Sequence, residues 1–107
     1  MPKEINVLDL KQKLDDGESI VLVDCRESDE YEHCRIEGSK HIPLSEFEDR
    51  AETDLKPEDE IIIHCHHGGR SMRACMILES LGFDSVTNVV GGIDAWALDI
   101  DPKVPRY

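Results

Sequence analysis

Three short runs of apolar and β-branched residues constrain the fold of this chain more than any other feature. They occupy residues 19–24, 61–64 and 86–90. A strand that is buried on both faces has such a continuous run, whereas a strand with one face in water alternates apolar and polar residues. The runs therefore predict three strands of a sheet that is covered on both sides.

Segments with helical patterns lie between these runs. Asn6 is a candidate N-cap for a helix over residues 7–14, and Gly17 lies just beyond its end. Further helices are predicted from Ser28, from a capping box of Ser45 and Glu48 to a point before Pro57, over residues 71–81, and over residues 93–98. This alternation predicts an α/β domain with a mostly parallel sheet and helices on both faces. In such a domain, ligands bind beyond the carboxyl ends of the strands.

The length of the chain fits a single domain. A chain of 107 residues can bury roughly two-thirds of the surface that it exposes when unfolded. We expect one domain over residues 1–107, with a core over about residues 5–98. The tail over residues 99–107 contains Pro102 and Pro105, so we expect it to be extended.

The charge of the chain excludes several classes of partner. It has 24 acidic and 12 basic residues, which give a formal net charge of -12. Nucleic acids and anionic membranes both require a basic patch, so neither is expected as a partner. The apolar runs are far shorter than the ~20 residues that a membrane span needs. The first residues lack the apolar stretch of a secretory signal, so we expect the protein in the cytoplasm.

The four cysteines do not form a metal-ribbon or C-x-x-C redox pattern. They are Cys25, Cys34, Cys65 and Cys75, and a cytoplasmic protein usually keeps such thiols reduced. Cys75 lies on the apolar stripe of its helix and Cys25 follows a buried strand, so both are expected in the core. Cys34 lies in a polar loop, so we expect it to be exposed. We hypothesise that it resolves an oxidised or sulfur-loaded Cys65 into a disulfide.

The loop that follows residues 61–64 carries the strongest chemical signal. Cys65 lies at the end of a strand, and Gly68 and Gly69 come directly before a helix. The glycines let the backbone turn so that several N–H groups face the sulfur, and the helix adds its positive N-terminal dipole. Arg70 adds a full positive charge. All of these contributions favour the thiolate, so the pKa of Cys65 should be low and its sulfur nucleophilic.

The same region is a local island without negative charge. Residues 61–78 contain no Asp or Glu, although the chain as a whole is rich in both. The buried strand and the packed helix explain part of this absence, because such elements exclude acids. The polar stretch between them is not explained in that way, and we interpret it as an anion-binding loop.

This loop resembles the active-site loop of single-domain rhodanese-like sulfurtransferases. The match is Cys65-x-x-Gly68-x-Arg70, and three other segments match the family in the same order. They are Val23-Asp24-Cys25-Arg26 with Glu30-Tyr31, Ile36-Glu37-Gly38-Ser39-Lys40-His41-Ile42-Pro43-Leu44, and Gly91-Gly92-Ile93-Asp94-Ala95-Trp96. Two features depart from the family pattern. Cys25 replaces an aliphatic residue, and Cys34-Arg35 replaces Gly-His in a loop beside the pocket.

The resemblance implies a five-stranded parallel sheet and a sulfurtransferase mechanism. Cys65 would attack the outer sulfur of a donor such as thiosulfate, and an acceptor thiol, cyanide or protein would then remove that sulfur from the persulfide. The N–H groups of residues 66–71 would hold the persulfide, and Arg70 would bind the donor oxyanion. The other residues expected around the pocket are His66, His67, Gly68, Gly69 and Ser71. No metal or organic cofactor is implied.

Asp24 and Arg26 have two interpretations. They can form an ion pair that braces the loops at the carboxyl edge of the sheet, or Arg26 can help to attract the donor. The structural interpretation is favoured, because charged pairs at such edges commonly fix loops without taking part in catalysis.

Three alternative functions remain open. His64-Cys65 with Arg70-Ser71 is similar to the loop of cysteine phosphatases and arsenate reductases, but four residues between Cys65 and Arg70 make a loop too tight for a tetrahedral oxyanion. A metal site would use His64, Cys65, His66 and His67, but adjacent residues do not readily converge on one ion. A non-catalytic interaction module is the third alternative, and the intact Cys65 loop argues against it.

The net charge predicts how turnover should depend on salt. The field of the chain repels an anionic donor, and added salt screens that field over about 8 Å at physiological ionic strength. We therefore expect the turnover of subsaturating thiosulfate to increase with ionic strength. A rate that does not change between low and moderate salt would contradict this prediction. A neutral thiol or a protein with a basic face should be a better acceptor than cyanide.

Overall fold

The computed structural model describes residues 2–107 and contains one five-stranded sheet. All four strand pairings are parallel, and the strand order is β1-β5-β4-β2-β3. The strands are β1 (Lys3–Ile5), β2 (Ile20–Asp24), β3 (Lys40–His41), β4 (Glu60–His64) and β5 (Val86–Val89). The helices are α1 (Val7–Asp15), α2 (Ser28–His33), α3 (Phe47–Asp54), α4 (Gly69–Ser80) and α5 (Gly92–Asp99). The predicted α/β architecture is confirmed.

The three apolar runs are the three central strands. The pattern of apolar residues did not predict the two edge strands, β1 and β3. β1 has three residues and β3 has two, so neither is long enough to show a period. Lys3 and Glu4 in β1 and Lys40 in β3 are exposed. Charged residues at a sheet edge oppose pairing with a further chain, so polar sequence is expected there.

Each face of the sheet is covered by its own hydrophobic core. The α3/α4 core contains side chains of those two helices and of every second position in the strands, and its members are Val23, Cys25, Phe47, Ala51, Ile61, Ile63, Cys65, Ala74, Cys75, Leu78 and Val86 among others. The α1/α5 core covers the other face and includes Val7, Leu10, Leu22, Cys34, Ile36, Ile62, Val89, Ile93 and Trp96. Residues 61, 62 and 63 therefore alternate between the two cores, as successive strand residues must.

The helix signals were correct for α1 and wrong for the start of α3. Asn6 caps α1 as predicted, because its side chain accepts a hydrogen bond of 2.8 Å from the N–H of Asp9. The predicted capping box of Ser45 and Glu48 does not form. The Ser45 hydroxyl instead donates to the carboxylate of Glu27 at 2.8 Å, and Leu44–Glu46 is a 3-10 turn that leads into α3. Ser45 therefore does not cap α3, because its hydroxyl is bound to Glu27, which is distant in sequence.

Cys34 is buried, which contradicts the prediction that it is exposed. Its side chain lies in the α1/α5 core with 8 % exposure, and its sulfur is 3.6 Å from the carbonyl oxygen of Pro105. The tail covers the loop, which the local sequence of that loop does not indicate. Cys25 and Cys75 have no exposed surface, as predicted, and burial raises the pKa of Cys75 to about 12. All four thiols are free.

Two further observations concern the surface and the tail. None of the helices within residues 2–107 has both the length and the apolar character that crossing a membrane would require. Residues 100–107 contain no helix or strand, and they run back over the carboxyl edge of the sheet. Val104 packs against the α1/α5 core, and Arg106 forms an ion pair of 2.9 Å with Asp94.

Gly92 is required where α5 begins beneath the Cys65 loop. Its φ is +56°, and an added Cβ would lie 2.4 Å from the carbonyl oxygen of Cys65 and 2.5 Å from that of His66. We expect Gly92→Ala to lower the free energy of unfolding by about 3 kcal/mol, since it adds a steric clash to backbone strain. Gly17→Ala is the matched control, because Gly17 also has positive φ but has open space around it. Denaturant unfolding should show a loss of about 1 kcal/mol for that variant. Equal losses for the two variants would contradict the steric argument.

Candidate active site

Cys65 lies at the centre of the carboxyl edge of the sheet. It follows β4 directly, and residues 65–68 form a tight loop that ends where α4 begins at Gly69. Its side chain is 2 % exposed, so the sulfur is enclosed by the loop rather than projecting into solvent. This position, outside the end of a central parallel strand, is the one at which α/β sheets bind ligands.

Hydrogen-bond donors of the loop and of α4 surround the sulfur on one side. The N–H of Gly68 donates to the Cys65 sulfur over 3.1 Å, and the hydroxyl of Ser71 lies 3.4 Å from it. The φ of Gly68 is +127°, which an L side chain rarely adopts. This glycine therefore allows the turn that directs its own N–H inward.

The loop carbonyls are held away from the sulfur by the first turn of α5. The N–H of Ile93 donates to the carbonyl of Cys65 at 2.9 Å, and the N–H of Asp94 donates to that of His66 at 3.1 Å. The negative ends of these peptide dipoles thus point toward α5 and not toward the sulfur. The close approach of Gly92 described above is what makes these two hydrogen bonds possible.

The surroundings lower the pKa of Cys65 to about 4. The largest cause is the thiol of Cys25, which donates toward the Cys65 sulfur, and burial opposes it. The hydroxyl of Ser71 and the N–H groups of Ser71 and Gly68 lower the pKa further. The predicted ionised sulfur is therefore supported by the geometry, although the largest donor was not foreseen.

Asn88 supports the loop and was missed at the sequence level. Its side-chain N–H donates to the carbonyl of Gly68 at 3.2 Å, and its side-chain oxygen competes with the Cys65 sulfur for the single proton of the Ser71 hydroxyl. Asn88 lies in β5 beside Ile63 of β4 and is 3 % exposed. The available signal was an amide in an otherwise apolar run, because a buried polar group needs partners.

Arg70 is held by a carboxylate that comes from another helix. Its guanidinium makes two hydrogen bonds, of 2.6 and 2.9 Å, to the two carboxylate oxygens of Glu30 in α2. Arg70 is the largest cause that lowers the pKa of Glu30 to about 2. The predicted positive charge is present, but it is balanced, so the site is less electropositive than residues 61–78 alone suggest.

Arg70 also lines a surface cleft of about 380 Å³ beside the loop. Six other residues line the same cleft, and they are Glu27, Leu44, Ser45, Glu48, Arg73 and Ile77. Cys65 does not line it. The cleft therefore offers the guanidinium of Arg70 to an anion.

His66 and His67 lie at the outer rim of the loop. His66 is half-buried beneath the ring of Tyr107, with ring centroids 4.1 Å apart, whereas the side chain of His67 is exposed. Ligand atoms of His66, His67 and Asp94 lie within 4.8 Å of one another, a grouping with metal-ligand chemistry. Asp94 comes from α5, so spacing within the loop did not indicate it. Its carboxylate already pairs with Arg106.

Asp24 and Arg26 form a buried ion pair next to the site. Neither side chain is exposed, and the closest guanidinium nitrogen of Arg26 lies 2.7 Å from the carboxylate of Asp24. The same guanidinium donates to the backbone carbonyls of Glu30 and Cys34, and to the hydroxyl of Tyr107 at 2.8 Å. These contacts correspond to the bracing interpretation, because they tie β2, α2 and the tail together.

His64 supports the site from within the sheet. It is fully buried, and within residues 2–107 neither of its ring nitrogens has a hydrogen-bond partner. Burial is the largest cause that lowers its pKa, so the ring is neutral. A neutral ring keeps a second positive charge out of the interior beside Arg26.

Known proteins match this chain over nearly its whole length. The sequence profile described as "Rhodanese-like domain" matches residues 6–99. The chain is 46% identical over 93 residues to "Putative sulfur carrier protein YrkF" of Bacillus subtilis, covering 87% of this chain and 50% of that protein. It is 37% identical over 101 residues to "Putative sulfurtransferase YtwF" of the same organism, covering 94% and 96%. A rhodanese-like domain protein from Staphylococcus aureus has a TM-score of 0.84 at 30% identity, covering 98% of each chain.

The donors around the sulfur generate a prediction for the pH dependence of Cys65. A group with a lowered pKa loses its proton at lower pH, so Cys65 should remain a thiolate down to about pH 5 and protonate near 4. The thiolate absorbance of the native chain minus that of Cys65→Ser measures this titration. We expect Ser71→Ala to raise the pKa of Cys65 by about one unit, because it removes one donor.

Ser80→Ala is the matched control for that variant. Ser80 lies in the same helix, and within residues 2–107 its hydroxyl bonds only to the carbonyl of Ile77 at the surface. It should leave the titration unchanged. A native Cys65 that titrates near 8.5, as a free cysteine does, would contradict the description of the site.

Proposed function

This chain belongs to the rhodanese-like domain family, and from that membership we propose that it is a sulfurtransferase that carries sulfur as a Cys65 persulfide. The chain spans half the length of the first relative above and nearly all of the second. The names of both relatives refer to sulfur transfer or sulfur carriage, which supports this class of activity. The donor and the acceptor are part of the proposal.

The observation that carries the proposal is the match between the donors and a single sulfur atom. The N–H of Gly68 and the hydroxyl of Ser71 already lie 3.1 and 3.4 Å from the thiol sulfur. A persulfide extends this anion by one sulfur atom, and the charge moves to the outer sulfur. The same dipoles stabilise that charge without reorganisation, which is the principle of an oxyanion hole.

The proposed reaction has two steps, with thiosulfate as the simplest donor. The Cys65 thiolate attacks the outer sulfur of thiosulfate, a new S–S bond forms to Cys65, and the bond to the sulfite sulfur breaks. Sulfite leaves with the electron pair of that bond. In the second step, an acceptor thiolate or cyanide attacks the outer sulfur of the persulfide and restores the Cys65 thiolate.

Arg70 is proposed as the group that binds the donor oxyanion. Its guanidinium lines the surface cleft and is 36% exposed on its side chain, so an anion can reach it. The donor would exchange with the carboxylate of Glu30, which holds the same guanidinium in the free protein. Glu30 thereby keeps the arginine ordered between turnovers.

The phosphatase alternative is less well supported by the geometry. A phosphate ester needs several N–H groups directed at three oxygen atoms around the sulfur. Here only four residues separate Cys65 from Arg70, and the donors contact the sulfur itself. A non-catalytic interaction module does not need an ionised cysteine, so that alternative does not account for the lowered pKa of Cys65.

We propose that the acceptor is a small thiol or a protein and that the chain works in the cytoplasm. The net charge of -12 favours a neutral thiol or a protein with a basic face. Four free thiols fit a reducing compartment. No cofactor takes part in the proposed steps, since the thiolate is itself the nucleophile.

Intact-mass spectrometry after incubation with thiosulfate tests the proposal. After a brief reaction, the native chain should carry one added sulfur atom on Cys65. One molecule of sulfite should be released per chain. Cys65→Ser should show neither. Cys75→Ala is the matched control, because Cys75 is a buried thiol of the same core that the mechanism does not use, and it should behave as the native chain.

Two other results would contradict the proposal. Turnover of an aryl phosphate by the native chain, with loss in Cys65→Ser, would favour the phosphatase. Stoichiometric metal in the purified protein, removed by substituting His67, would favour a metal site at His66, His67 and Asp94. Circular dichroism of Cys65→Ser establishes that a loss of reaction is not a loss of fold.

A further inference from the structure

Cys25 and Cys65 directly follow the last residues of two neighbouring strands, β2 and β4. β2 and β4 are paired in parallel with Asp24 opposite His64, and the N–H of Cys25 donates to the carbonyl of His64 at 3.0 Å. That hydrogen bond continues the ladder by one residue. Cys25 and Cys65 are therefore the next pair of residues beyond the ends of two adjacent strands.

The two side chains point to the same face of the sheet. Both belong to the α3/α4 core, as do Val23 and Ile63, which are opposite each other two residues earlier. Adjacent strands lie about 4.8 Å apart, within the 4.4–6.8 Å that separates the Cα atoms of bonded cystines. The Cα separation expected for these two positions is therefore within the range of a disulfide.

The two sulfur atoms have different surroundings. Cys25 has no exposed surface, and the pKa of its thiol is raised, first by the hydrogen bond to Cys65 and then by burial. It therefore keeps its proton while Cys65 is ionised. The Cys25 thiol and the Cys65 thiolate are thus neighbours. Because Cys25 has no exposed surface, dissolved reactants in the solvent do not reach its sulfur.

The geometry also decides which sulfur of a persulfide Cys25 can reach. Gly68 and Ser71 approach the Cys65 sulfur from the loop and from α4, whereas Cys25 approaches from the strand. The outer sulfur of a persulfide would be held by the loop donors. Cys25 then faces the inner sulfur, from the side away from the leaving atom.

We propose that Cys25 is a resolving thiol that gives this site a second activity, the release of hydrosulfide. The inference rests on the sulfurtransferase function proposed above. The Cys25 sulfur attacks the inner sulfur of the Cys65 persulfide, the Cys25 thiol releases its proton to water, and the departing outer sulfur takes up a proton from water. A Cys25–Cys65 bond forms, the bond to the outer sulfur breaks, and hydrosulfide leaves with its electron pair.

This step balances without an external oxidant. The sulfane sulfur gains two electrons, and the two cysteines lose two as they become a disulfide. The net charge of -1 on the persulfide anion departs on the hydrosulfide. A thiol or dithiol reductant must then reduce the disulfide before another turnover, as in any thiol–disulfide exchange.

The structure also excludes Cys34 as the resolving thiol that the sequence suggested. Cys34 lies in the α1/α5 core and Cys65 lies in the α3/α4 core, so the sheet separates them. The sulfur of Cys34 faces the carbonyl of Pro105 and the guanidinium of Arg26. The hypothesis of a Cys34–Cys65 link is therefore wrong, and the role passes to Cys25.

The experiment follows single turnover with thiosulfate at about pH 8, without an acceptor or reductant, and quenches the reaction with acid. The native chain should release one hydrosulfide per chain and lose the mass of two hydrogen atoms. Peptide mapping should find a disulfide between residues 25 and 65. Cys25→Val should instead retain the mass of one added sulfur, and its hydrosulfide release should be slower by at least about tenfold.

Cys34→Ser and Cys75→Ala are the matched controls and should behave as the native chain. Persulfide that accumulates on the native chain without hydrosulfide would overturn the role of Cys25 and leave the sulfurtransferase function intact. A sulfur atom found on Cys25 would also overturn it, since attack would then occur at the outer sulfur. Release of no sulfite by any variant would instead overturn the sulfurtransferase function itself.

A second variant covers the case in which Cys25→Val does not fold. Cys25→Ser is closer in size to cysteine and keeps a hydrogen-bond donor toward Cys65, but it does not form a disulfide. It should accumulate the persulfide as Cys25→Val does. Hydrosulfide release at the native rate by Cys25→Ser would overturn the proposal.

Discussion

A buried negative charge on one sulfur atom is the constraint on which the rest of this structure depends. Removing a charge from water is costly unless dipoles replace the water, and Cys65 is 2 % exposed. Several distant parts of the chain supply those dipoles. Gly68 turns its N–H inward, Asn88 of β5 holds both Gly68 and Ser71, and Gly92 lets α5 bind the carbonyls of the loop. The loop is therefore a product of the whole sheet edge and not of its own residues alone.

The electrostatics of the site are more balanced than its sequence suggests. The loop and α4 contain no acid up to residue 78, yet Glu30 reaches Arg70 from α2, and Asp24 pairs with Arg26 below. Arg70 and Arg26 thus each have a carboxylate partner. The ionised sulfur is held by dipoles and by a thiol, while the full charges order the surrounding elements. This division keeps the interior nearly neutral in a chain that has a large net negative charge.

The parts predicted from sequence are those that depend on neighbouring residues. The central strands, the cap at Asn6 and the spacing from Cys65 to Arg70 are local patterns, and the structure contains each of them. The edge strands are too short to show a pattern. The fate of Ser45, the burial of Cys34 and the partner of Arg70 depend on contacts between distant segments. The adjacency of Cys25 and Cys65 depends on strand register, which no local pattern specifies. The resemblance to a family supplied the five-stranded sheet, which periodicity alone did not.

The ring of Tyr107 lies on His66, the residue that follows the nucleophile, and its hydroxyl bonds to both Arg26 and Glu30. A donor that enters over His66 has to displace this ring first. The apparent dissociation constant of the donor is then its intrinsic dissociation constant divided by the fraction of protein molecules in which the Tyr107 ring has moved away. Selectivity at such an entrance follows from a competition between an aromatic side chain and the incoming molecule. Weakening the hold on the tyrosine would tighten the binding of every donor that uses this route by the same factor.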